Sequence, residues 1–84
     1  MAYDVKIHRA AQKQLLSLPR EAQVGIAKAI DGLMKNARPG GCKKLAGTDL
    51  WRVRVGRYRV VYVIDDGNRL VTVLKATIRR EDMY

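Results

Sequence analysis

The sequence predicts an α+β domain of element order βααβββ, with two N-terminal helices packed on one face of an antiparallel sheet. Three observations carry that expectation. Tyr3, Val5 and Ile7 alternate with polar residues, the spacing of apolar residues turns helical from Arg9 to Ala37, and the rest holds three short β-branched and aromatic runs divided by Gly-bearing turns.

The first strand covers Tyr3 to His8, whose period of two gives one buried face. The first helix starts at Arg9, presents Ala11, Leu15 and Leu18 on one side and ends at Ser17-Leu18-Pro19, because a proline cannot continue a helix. The same proline suits the first turn of a second helix, whose buried stripe is Ala22, Ile26, Ala29, Ile30, Leu33 and Ala37. Arg38-Pro39-Gly40-Gly41 stops it. Cys42 to Asp49, with Gly47 and two lysines, reads as a loop. Strands follow at Leu50 to Val55, Tyr58 to Ile64 and Leu70 to Ala76. Gly56-Arg57 joins the first two as a type II′ turn, and Asp65-Asp66-Gly67-Asn68 joins the last two.

A chain of 84 residues makes one domain, residues 1–84, since so short a chain buries only about 60% of its unfolded surface. With 48% hydrophobic residues it has enough apolar side chain to fold. One cysteine, Cys42, and one histidine, His8, exclude a disulfide framework and fall short of a structural zinc set. Met1-Ala2-Tyr3-Asp4 lacks the layout of a secretory signal, and no segment is apolar for long enough to span a bilayer; a cytoplasmic protein away from membranes is expected. The net charge of +9 calls for a polyanion or an acidic protein as partner. Much of the excess is local: Lys43, Lys44, Arg52, Arg54, Arg57 and Arg59 stand against Asp49 alone.

If Gly56-Arg57 is the whole turn, Val55 pairs with Tyr58, Arg54 with Arg59, Val53 with Val60 and Arg52 with Val61. One sheet face then gathers Arg52, Arg54 and Arg59, while Trp51, Val53, Val55, Tyr58, Val60 and Tyr62 form the core face. Solvated outward arginines are common on strands, but two directly opposed cations repel, and an anion between them removes the penalty. Guanidinium forks match phosphate oxygens and can stabilise the extra charge of a five-coordinate phosphorus, which suits phosphodiester cleavage. His8 is read as a strand-end residue, since nothing pairs it as a base. Leu70, Thr72 and Leu74 are expected on the same face as Arg59, Val61 and Val63, an apolar strip for a partner segment or the chain's own end.

At these residues the chain resembles the RelE/ParE toxin family over essentially its whole length. The resemblance rests on Ala11 and Lys13 before Leu15-Leu16-Ser17-Leu18-Pro19, on Lys44-Leu45-Ala46-Gly47, on the block from Leu50 to Tyr62, and on an Arg-rich close ending in tyrosine. It implies a microbial-ribonuclease-like fold and, for RelE-type members, cleavage of mRNA in the ribosomal A site by attack of the 2′-hydroxyl on the adjacent phosphate. No metal or cofactor is required. The family's basic pair falls on Arg52 and Arg54, where well-known members carry lysine, and its core arginine falls on Arg59.

Many relatives close with Gly-His-Arg, three residues, then Tyr; the matching positions are Ile78-Arg79-Arg80 and Tyr84, so the glycine and histidine are missing. Arg80 and Tyr84 complete the implied catalytic set of Arg52, Arg54, Arg59, Arg80 and Tyr84, with Arg79 a rival for the role of Arg80. Lys43, Lys44, Arg57 and Arg79 are the expected RNA contacts. The base is open between Tyr84 and ribosomal RNA with water. The implied partners are an acidic RelB-like antitoxin, the ribosome with its A-site mRNA, and operator DNA only through the toxin–antitoxin complex. A ParE-type inhibitor of DNA gyrase shares the fold and is the alternative, followed by a relative that only binds nucleic acid.

Overall fold

A computed structural model describes residues 2–78. Its elements are β1 (Asp4–Ile7), α1 (Arg9–Leu16), α2 (Arg20–Lys35), β2 (Lys43–Lys44), β3 (Leu50–Val55), β4 (Tyr58–Asp65) and β5 (Leu70–Ile78). The five strands lie in the order β1-β5-β4-β3-β2. Both helices pack on one face, so the expected α+β class is found, with two differences in the sheet. β1 joins β5 in parallel, which makes the sheet mixed rather than wholly antiparallel. The loop after α2 contributes a two-residue strand, β2, antiparallel to β3.

Local chemistry explains where the helices begin and end. His8 caps α1, its Nδ1 accepting from the Ala10 N–H at 3.2 Å, which settles it as a strand-end and capping residue. The Ser17 hydroxyl donates to the Gln14 carbonyl at 2.7 Å and satisfies a carbonyl of the last turn. Pro19 occupies the cap of α2 with φ −57°, already set for helix entry. Glu21 in the first turn and Lys35 in the last complement the helix dipole. Ile26, Ile30 and Leu33 recur at helical spacing and are buried.

These side chains, with Ala11 and Ala37, close on Val60, Tyr62, Val71, Val73 and Ala76 of the sheet. Each large apolar side chain so buried contributes about 1.5–3 kcal/mol. Tyr62 is wholly buried, and its hydroxyl donates to the Ala37 carbonyl at 3.0 Å, so the core holds no stranded phenol. Burial, with Cys42 as a neighbour, pushes the Tyr62 phenol well above its usual range.

The β3–β4 hairpin fixes the orientation of the arginines. Gly56 takes φ +57°, and Arg69 is the one non-glycine residue with positive φ among the described residues, so Arg57 stays at negative φ as a type II′ turn needs. The register is the one expected: Val55 with Tyr58, Arg54 with Arg59, Val53 with Val60 and Arg52 with Val61.

Candidate nucleic-acid interface

The face of the sheet opposite the helices carries the charge. Because Val60 and Tyr62 point into the core, Arg59, Val61 and Val63 face the other way, and their partners follow. Lys43, Arg52, Val61 and Lys75 stand in one row across β2, β3, β4 and β5, and Arg54, Arg59 and Thr77 form the next row on that face. Neighbouring strands are about 4.7–4.9 Å apart, so these cations share one small area.

Arg52, Arg54 and Arg59 are thus brought together as expected. Lys43 joins them through its pairing with Arg52, whereas Lys44 pairs with Trp51 and takes the parity of the helix-covered face. Arg57 sits exposed in the turn, at the end of the patch. Arg79, Arg80 and Tyr84 lie outside the described residues.

Lys75 and Thr77 were not legible in the sequence. Strict alternation from the buried Val71 and Val73 would turn Lys75 into the core and set Leu74 and Ala76 on the basic face. The structure has a register shift in β5 opposite Val61 and Tyr62: Val61 pairs with Lys75 while Tyr62 pairs with Val73, and Leu74 is the extra residue. Ala76 is therefore buried and Lys75 exposed. Of the apolar strip expected from β5, Leu70 and Thr72 keep their face through the pairs Asp65–Leu70 and Val63–Thr72, and Leu74 falls in the bulge. The displaced backbone is held from α1, where the Gln14 Oε1 accepts from the Ala76 N–H at 2.8 Å.

Arg54 is exposed and Arg59 half-buried. The Arg59 Nε is shielded from solvent and makes no hydrogen bond among the described residues. A buried donor left so costs about 1–3 kcal/mol, which an acceptor oxygen brought to it would recover. Among the described residues no carboxylate forms an ion pair with Lys43, Arg54, Arg59 or Lys75. Among the described strand residues the carboxylates of this face, Asp65 and Asp4, flank Leu70 at the far end from the hairpin.

A second polar cluster ties the chain start to the β4–β5 turn. Asp66 accepts from the Tyr3 hydroxyl at 2.6 Å and from both terminal nitrogens of Arg38, at 3.3 and 2.9 Å. The Arg38 guanidinium also lies 5.0 Å from the centroid of the Trp51 ring. Arg38 first and then Tyr3 hold the Asp66 carboxyl down at about 2. This cluster is a structural clasp.

No group of three or more His, Cys, Asp or Glu side chains is placed to hold a metal among the described residues. No helix among them is long and apolar enough to cross a membrane.

Comparison with known proteins bears on the family and the fold. A family model for the ParE toxin of type II toxin–antitoxin systems, parDE, matches residues 5–83. The RelE1 toxin protein of Methanocaldococcus jannaschii is 34% identical over 88 aligned positions, covering 100% of this chain and 97% of that protein. Among solved structures, the archaeal RelE–RelB complex from Pyrococcus horikoshii superposes with a TM-score of 0.86 at 34% identity, covering 96% of this chain and 99% of that one. The intact E. coli RelBE toxin–antitoxin complex shares the fold, with a TM-score of 0.81 at 22% identity over 95% of this chain and 100% of that one.

Proposed function

The chain belongs to the RelE/ParE superfamily of toxins from type II toxin–antitoxin systems, and from that premise we propose that it is an mRNA endoribonuclease acting in the ribosomal A site. The observation that carries this reading is the opposed pair Arg54 and Arg59, with the Arg59 Nε shielded and in want of an acceptor. Two forked cations across one strand gap form a clamp for a phosphodiester, and they gain most when negative charge builds on its equatorial oxygens.

In this reading the 2′-hydroxyl attacks the phosphorus, the bond to the 5′-oxygen of the next nucleotide breaks, and a 2′,3′-cyclic phosphate remains. Arg54 and Arg59 hold the phosphate, and Arg52 extends the positive field. The resemblance assigns Arg80 to the leaving oxygen and Tyr84 to the proton taken from the 2′-hydroxyl, with ribosomal RNA and water as the other acceptor. Arginines make poor bases, so the ribosome's main contribution is to fix the attacking oxygen in line, a gain worth about 7–11 kcal/mol in well-oriented intramolecular reactions. The reading invokes no cofactor and places the protein in the cytoplasm.

An acidic antitoxin of the RelB kind is the proposed protein partner. The net charge of +9 favours it, and the complexes of RelE with RelB are the precedent. Operator DNA would be met only through that complex. A second reading, a ParE-type inhibitor of DNA gyrase, is favoured by the ParE description of the matching family model.

One experiment separates the two. The gene is induced alone and with its neighbouring genes while mRNA 5′ ends are mapped, and the purified protein is assayed on translating ribosomes and in gyrase supercoiling. Codon-phased cuts that need ribosomes, suppressed by a neighbouring gene product, are the expected result. Supercoiling inhibition without cuts would transfer the assignment to the gyrase reading.

A further inference from the structure

We propose that Lys75 and Thr77 form a second phosphate subsite beside the Arg54–Arg59 clamp, so that a single RNA strand crosses the sheet perpendicular to its strands. The proposal takes RNA as the ligand from the ribonuclease reading; the placement of the subsite rests on register and burial alone.

The bulge is the first argument. It interrupts the ladder between β4 and β5, and ladder hydrogen bonds are not given up without a return. Its effect here is specific: it exchanges Leu74 and Ala76 for Lys75 and Thr77 on the basic face. A cation and a hydroxyl replace two apolar groups next to the clamp.

Adjacency is the second. Thr77 lies directly across from Arg59, on the side away from Arg54, so Arg59 is flanked by a guanidinium and a hydroxyl. Lys75 is one step further along β5 on the same face and diagonal to Arg59, about 7–8 Å away by backbone geometry. A phosphate on the Arg54–Arg59 pair thus has its neighbour on the strand within reach of Lys75. Between the two cationic ends of its row, Val61 is buried to 5% exposure and places no competing charge there.

Charge polarity is the third. Asp65 and Asp4 flank Leu70 at the far end of the face, beyond Thr72 and its neighbour Lys6, so a polyanion running along β4 and β5 would end on carboxylates. Running across them, from Lys43 to Lys75, it meets Lys43, Arg52 and Lys75 with only the neutral Val61 between, over roughly 14–15 Å, three strand spacings.

The test uses the purified full chain and a short single-stranded 2′-O-methyl oligoribonucleotide, which binds but cannot be cut. Affinity is measured over a range of salt for the wild type, Lys75→Ala, Lys75→Arg and Thr77→Val, with circular dichroism as the check on folding. Lys75→Ala should weaken binding about tenfold, the size of one lost charge-assisted hydrogen bond. It should also reduce the slope of log affinity against log salt by about 0.7, the value of one phosphate contact on a single strand. Lys75→Arg should restore both, and Thr77→Val should lose affinity with the slope unchanged. On ribosomes, the Lys75→Ala defect should fall on KM rather than kcat.

A wild type that does not bind the oligonucleotide, or a Lys75→Ala protein with unaltered affinity and slope, overturns the subsite. If the wild type binds with the stated slope loss in Lys75→Ala but cuts nothing on ribosomes, the subsite stands and the ribonuclease reading falls. If it cuts and Lys75→Ala binds as wild type, the reverse holds. Should Lys75→Ala misfold, Lys75→Gln gives the same slope measurement with a side chain of closer length.

Discussion

Arg59 is where the protein concentrates its electrostatic tension. It faces Arg54 directly, it is half-buried, and its Nε has no hydrogen-bond partner among the described residues. Directly opposed like charges destabilise a sheet, so the fold alone gives no reason for an arginine here. A clamp for phosphate does, and it separates fork from charge. Arg59→Lys keeps the cation but loses the paired donors, so single-turnover cleavage on ribosomes should fall about a hundred- to thousandfold, the loss expected for one oxyanion contact. Arg59→Ala should abolish cleavage while melting at the wild-type temperature or slightly above it, because one of two repelling charges is gone. Near-normal cleavage by Arg59→Lys would mean that a point charge suffices and the fork is not used.

At the scale of elements, one turn and one bulge decide what the site contains, and only the turn could be read in advance. Gly56-Arg57 is short, and glycine in its first position sets the turn type, so the Arg54–Arg59 pair followed from the sequence. The bulge at Leu74 leaves no such mark, because the extra residue is an ordinary leucine and parity is a tertiary outcome; Lys75 was therefore missed. The parallel docking of β1 on β5 was hidden for a related reason: nothing local in Asp4–Ile7 names a partner so distant in sequence. β2 is too short to carry a periodic signal. The clasp of Arg38, Asp66 and Tyr3 has no local signal either, since it joins the start of β1 and the loop after α2 to the β4–β5 turn. It makes its own prediction. Asp66 is lowered in the folded state from 3.8 to about 2, chiefly by Arg38 and next by Tyr3, so its stabilising contribution is present above pH 3.8 and is lost as pH falls through about 2. Arg38→Ala removes most of that dependence. Melting temperatures of the two proteins should differ by a constant amount above about pH 5 and converge as pH falls toward 2. Because the clasp is exposed, the difference should shrink in high salt. Parallel acid limbs would show that Arg38 does not hold the carboxylate in solution.

Taken whole, the molecule gathers cations on one sheet face, and among the described residues Lys43, Arg54, Arg59 and Lys75 form no ion pair with a carboxylate, within a net charge of +9. A domain of this size has few kcal/mol to spare, so facing cations lower the stability of the isolated protein, and in the proposed reading an anionic ligand or acidic partner restores it. That coupling is measurable without any assay of activity. A ligand at a hundred times its dissociation constant adds about 2.7 kcal/mol to the folded state. In a domain of 60–100 residues each kcal/mol moves the melting temperature by about 4–8 °C, so a saturating non-cleavable RNA should raise it by roughly 10–20 °C. Sodium chloride at matched ionic strength should give much less, because it screens the repulsion without bridging it. The Arg54→Ala/Arg59→Ala double variant provides the control, and the two effects should cross. Alone it should melt at or above the wild type, since the facing cations are gone, and with RNA it should gain far less, since the clamp is gone as well. A diffuse polyelectrolyte attraction predicts a different pattern, in which the double variant loses only the share of the RNA-induced shift that belongs to two charges among seventeen. That proportional loss, together with an unchanged melting temperature in the absence of RNA, would place the binding on the net charge of the chain rather than on the two facing arginines.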